Sequence, residues 1–139
     1  MPTLVRWYIK SSFACFVAAM LMSVALTARP ALSLPAAIGA LGAVYVHFLT
    51  VGWLTQLIMG VAYWMFPKYS KARPRRSERL GWAAYALLNA GLLLRLVGEP
   101  LTAAQPESGA GWLLALSAAV QALAGWAFVV NTWARIKER

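Results

Sequence analysis

One histidine, His47, lies in a long apolar run of this 139-residue chain, and one arginine, Arg95, lies in another. A neutral imidazole is a common metal ligand. A guanidinium favours bidentate carboxylate or phosphate partners. Ionisable and polar groups are costly in hydrocarbon, so each marks a candidate site. Three amides, Gln56, Asn89 and Gln121, also sit deep in the apolar runs.

Helical spacing sets the surroundings of each candidate. Ala43 and Ala40 share the His47 face on one side, and Thr50, Val51 and Leu54 share it on the other. Alanines leave a groove that admits either a flat cofactor or another helix. The plainer reading is a histidine hydrogen-bonded between helices. Arg95 falls on a stripe with Gly81, Ala84, Leu88, Gly91 and Gly98, whose small residues leave room beside a guanidinium. Its partner is either Glu99 at i+4, with simple snorkelling as the companion reading, or the carboxylate of a bound ligand such as a haem propionate. Gly52, Gln56 and Gly60 are spaced by four, and Ser117, Gln121 and Gly125 repeat the pattern. Both sets read as helix-packing faces with a polar group as glue.

Other chemistries lack their residues. There is no Cys/His cluster, Gly-rich phosphate loop or GxSxG. No acid lies inside the spans to relay protons. Cys15 is the single cysteine, which rules out an internal disulfide and suits a small packing residue.

The elements that must position these residues follow from composition. The chain is 61% hydrophobic and 12% charged, against about 45–50% apolar and about 25% charged in soluble domains. The bilayer is its natural solvent. Four apolar runs appear: Ser11 to Ala28, Ala36 to Phe66, Leu80 to Gly98 and Trp112 to Ala134. Each suits a spanning helix of about 20 residues. The expected fold is an all-α, single-domain bundle of four transmembrane helices. The second run would reach roughly 46 Å at about 1.5 Å per residue, so it must tilt, protrude or bend, and Pro67 stops it. A loop rich in Gly, Pro and Glu is expected from Glu99 to Gly111.

The net charge of +9 would suggest nucleic acid in a soluble protein. The positions of the charges give another account. With both termini cytoplasmic, eleven of the thirteen basic residues fall inside: Arg6, Lys10, the six between Lys68 and Arg79, and Arg135, Lys137 and Arg139. Outer loops hold Arg29, Glu99 and Glu107. This is the positive-inside pattern, and it accounts for the charge through topology, with no nucleic-acid partner.

The segment His47-Phe-Leu-Thr-Val-Gly-Trp53, continuing through Gly60, Tyr63 and Phe66-Pro67, resembles haem-copper oxidase subunit I relatives. Similar segments occur in cytochrome cbb3 oxidases, nitric oxide reductases and NnrS-like membrane proteins. The likeness covers about a quarter of the chain. It implies a multi-pass protein of the bacterial inner membrane, with His47 as metal ligand of haem b and Arg95, Ala43, Thr50 and Gly91 around the cofactor. Electron transfer or binding of oxygen or nitric oxide would be its role. Full subunit I has more helices and several ligating histidines, and its frequent second histidine is replaced here by Tyr45. Oxygen reduction by this chain alone is therefore not expected. One histidine leaves the iron five-coordinate, paired with Met20 or Met22, or shared across a homodimer. A dimer or trimer and a respiratory-chain partner are the implied associations. A cofactor-free assembly or interaction subunit of a respiratory complex is the alternative.

Overall fold

Apolar side chains without water to hydrogen-bond the backbone force every peptide group into a helix. The computed structural model describes residues 1–136 and is all-α, with no strand among them. Lys137 and Arg139, counted above with the basic carboxyl-terminal segment, lie outside the described residues. Four stretches are long and apolar enough to cross a membrane: Thr3–Ala28, Ala37–Met65, Glu78–Ala104 and Gly111–Trp133.

The first, third and fourth are single helices: α1 (Thr3–Ala28), α4 (Glu78–Ala104) and α5 (Gly111–Trp133). The second changes its winding three times. It opens as a 3-10 turn (Ala36–Ala40), continues as α2 (Leu41–His47), widens to a π segment (Phe48–Thr55) and closes as α3 (Gln56–Met65). Thr50 contributes to the widening. Its hydroxyl donates to the Val46 carbonyl at 2.7 Å, the carbonyl that an α turn would give to the Thr50 amide.

Two boundaries differ from the sequence expectation. Helix α1 starts at Thr3, eight residues before the apolar run, because Arg6 and Lys10 are good helix formers at a helix end that meets solvent. Helix α4 runs through Glu99 and Pro100 to Ala104, where a loop was expected. Pro100 removes one backbone donor without ending the helix. Glu99 is thereby placed one helical turn from Arg95. At the other end, the Ser77 hydroxyl caps α4 by accepting from the Leu80 amide at 3.2 Å.

Packing follows the small residues. A Cβ on Gly52 would lie 2.9 Å from the Cys15 Cβ, and one on Gly60 would lie 2.7 Å from the Tyr8 Cβ. These two glycines let α1 lie directly on the second span. Between them, the fully buried Gln56 amide donates to Ser11 at 2.6 Å and to Asn89 at 3.4 Å, joining three spans. Helices α4 and α5 form the other close pair. The Gly91 carbonyl accepts from Ser117 at 2.7 Å, and Gln121 donates to Ser117 at 3.0 Å. Gly125 departs from the packing expectation, since a Cβ there meets nothing within 4 Å. The large hydrophobic side chains Leu21, Val24, Ile58, Leu93, Leu123 and Trp126 are left outward.

These contacts predict a contrast. Gly60→Leu should overpack the α1 contact and lower stability in detergent by about 1–3 kcal/mol. Gly125→Leu should leave it within about 0.5 kcal/mol. Thermal unfolding of both variants checks this, and equal losses would contradict the packing described.

Candidate functional site

The two candidates singled out by residue type are in contact. Arg95 Nη1 lies 2.9 Å from His47 Nε2, across the gap between α4 and α2. His47 Nδ1 lies 3.0 Å from the Ala43 carbonyl one turn earlier. A carbonyl only accepts and a guanidinium only donates. Nδ1 therefore carries a hydrogen toward Ala43, and because the same Nη1 also lies 3.3 Å from Nδ1, the guanidinium packs over the imidazole ring. The same Nη1 lies 3.5 Å from a Glu99 carboxylate oxygen. The side chains of Arg95 and Glu99 are 16% and 20% exposed, so a cation and an anion balance each other in a mostly buried place.

The other candidates divide. Ala43 supplies the carbonyl that orients the ring, and its side chain faces outward. Thr50 is also exposed, and its hydroxyl is used on Val46. Gly91 faces the other way. A Cβ on it would meet the Gln121 side chain and the Ser117 carbonyl, so its stripe is filled by α5. Gly98 is likewise closed by Leu113 and Leu114. The small residues along α4 therefore admit a helix, and the open side of the site is the outward face carrying Ala43, Val46, Thr50 and Leu54. Met22 packs beside Val44 and Phe48, whereas Met20 is exposed. Arg29 lies against Gly39 at the start of the second span. No three His, Cys, Asp or Glu side chains come together among the described residues.

A second buried cation went unsuspected in the sequence. Arg135 reads there as one more basic residue after a span. It is 2% exposed. Its guanidinium donates to the carbonyls of Tyr63 (3.0 Å), Phe66 (2.7 Å) and Pro67 (3.0 Å). It also stands 5.4 Å from the centre of the Tyr63 ring. These are the carbonyls left without donors where Pro67 ends the helix. Burial pulls the Arg135 pKa below the ordinary arginine value. Asn131 adds a two-way clamp: it accepts from the Ser77 amide at 3.1 Å and donates to the Ser77 carbonyl at 2.9 Å. Arg76 donates to the Val130 carbonyl beside it. The only sequence signal for Arg135 was its place one residue past a span, opposite a helix that ends at proline.

No protein-family model, curated protein or solved structure matches the chain.

Two outcomes follow. Glu99→Gln leaves Arg95 with its charge uncompensated and should cost about 1–3 kcal/mol. Adding Arg95→Met should recover part of that loss, so the double variant is more stable than the sum of the singles. Arg135→Ala should cost about 3 kcal/mol or more, because several carbonyls lose a charged donor together. Detergent unfolding of the parent, the two single variants, the double variant and Arg135→Ala measures both.

Proposed function

We propose that this chain is a membrane-embedded b-type haem-binding protein with His47 as the axial ligand, serving electron transfer or the binding of oxygen or nitric oxide. The observation that carries the reading is the state of the imidazole. Its Nδ1–H is tied to a backbone carbonyl, the outer-shell arrangement that holds ligating histidines in one tautomer. Nε2 stands beside the Arg95 guanidinium, next to the outward face of Ala43, Val46, Thr50 and Leu54.

The residues fit a half-site. His47 offers one nitrogen. Arg95 offers a guanidinium suited to a propionate, with Glu99 as its partner in the meantime. Arg95 packs over the ring, 2.9 Å from Nε2, and must move aside before that nitrogen ligates anything. Its long side chain permits the rotation. When bound, a b-type haem supplies a one-electron couple and, with an open site, a ligand for a diatomic gas. This chain's own groups orient the imidazole, hold the charge and present the apolar face. A second protein surface, a copy of the chain or a respiratory partner, would cover the open side. We read the basic end, where α1 begins and α5 ends, as cytoplasmic in a bacterial inner membrane, on the positive-inside pattern.

A second reading rests on the same contact. With Arg95 packed against the imidazole and its charge balanced by Glu99, the three side chains make a closed tie between spans. The chain is then a cofactor-free assembly or interaction subunit.

The optical spectrum separates these readings. Protein expressed with haem supplied and purified in detergent should show a Soret band that His47→Ala abolishes, while the variant keeps its helical circular dichroism. A colourless protein that co-purifies with a larger respiratory complex would establish the second reading in its place.

A further inference from the structure

We infer that the basic end of the molecule carries a built site for one phosphate-type oxyanion, set between the start of α1, the end of α3 and the start of α4. A cavity of about 170 Å³ lies there, lined by Pro2, Thr3, Leu4, Tyr63, Arg75, Glu78 and Trp82. It is several times the roughly 30 Å³ share of one water, so it admits a polyatomic group.

Three features agree on the sign of the occupant. The first is the start of α1. Thr3 and Leu4 come ahead of any intrahelical acceptor, and no side chain caps this end. Such free amides and the helix dipole favour an anion. The second is Tyr63. The residue is 1% exposed, and its hydroxyl is buried with no hydrogen bond. Asn131 lies beside that hydroxyl, with its amide turned to the Ser77 backbone. A buried hydroxyl without a partner is costly, and an oxyanion in the cavity would accept from it. The third is Arg75, whose side chain is 30% exposed. Among the described residues its guanidinium meets a loose ion pair with Glu78 at 3.7 Å, and that carboxylate is itself 74% exposed. Glu78 swings into solvent readily, which frees Arg75 for a two-pronged contact with a phosphate.

The site is distinct from the basic loop as a whole. Lys68 and Lys71 belong to the same charge cluster and do not line the cavity. A diffuse field would treat all these cations alike, whereas a built site depends on Arg75 and Tyr63.

Binding is read from thermal unfolding of the full chain in maltoside detergent, titrated with inorganic phosphate, with phosphatidylglycerol and with a phosphate-free glucosyl diacylglycerol. Either phosphate compound should stabilise the protein and the glycolipid should not. Response to inorganic phosphate identifies a free anion as the occupant, and response to the lipid alone identifies a headgroup. Arg75→Gln and Tyr63→Phe should each weaken the response about ten-fold, the weight of one charge-assisted hydrogen bond. Lys71→Gln should leave it unchanged, and Glu78→Gln should strengthen it. Tyr63→Phe should unfold no earlier than the parent without ligand, since it removes an unsatisfied group. If it does unfold earlier, native mass spectrometry of retained phospholipid on Arg75→Gln and Lys71→Gln decides. Equal losses in these two variants, or equal stabilisation by all three compounds, would overturn the site.

Discussion

Lipid offers no hydrogen bonds, so a polar group in these helices finds its partner within the protein or, like Gln56 Oε1 and the Tyr63 hydroxyl, has none among the described residues. That constraint organises the molecule more than any apolar contact does. Hydrocarbon tails solvate leucine as well as a neighbouring helix would, and apolar burial gives little drive for association. What holds the spans in place is close approach plus hydrogen bonding. Glycines at 52 and 60 let α1 come close enough for Gln56 to reach Ser11 and Asn89. Gly91 lets α5 come close enough for Ser117 to reach a backbone carbonyl. Each polar tie exists because a missing side chain lets the neighbour in.

The two buried arginines meet this constraint in opposite ways. Arg95 is balanced by a carboxylate and packs against the His47 imidazole. Arg135 has no acid among its hydrogen-bond partners in the described residues, and its charge is held by three carbonyls at the end of α3. The difference is in what each arrangement can give up. Moving Arg135 would strand three acceptors at once, so it is a structural bolt. Moving Arg95 exposes one ring nitrogen and one carboxylate, at a place already a sixth to a fifth open. A cation with two alternative homes is suited to a site that accepts something, and a cation with one home is not.

The sequence showed what periodicity and chemistry carry. The four spans, the Gly52–Gln56–Gly60 face and the prominence of His47 and Arg95 all rest on spacing by three and four. It did not show where winding departs from the α period. The π segment of Phe48–Thr55 begins directly after His47 and contains no proline to announce it. Nor did composition reveal that α4 continues through Glu99 and Pro100, because a helix held by α5 tolerates a proline that an isolated one would not. Arg135 and Asn131 were hidden for another reason. Their partners are backbone atoms, and backbone acceptors leave no mark on residue type.

The π segment bears on the site more than its length suggests. Wide turns inside α-helices recur at functional positions because they store a local departure from the favoured winding. Here the departure starts just after the residue whose ring would ligate, and its first turn is held by the Thr50 hydroxyl on Val46. The imidazole itself is tied to Ala43 on the α side of that junction. The ring is therefore anchored by regular helix behind it and flanked by a looser turn ahead.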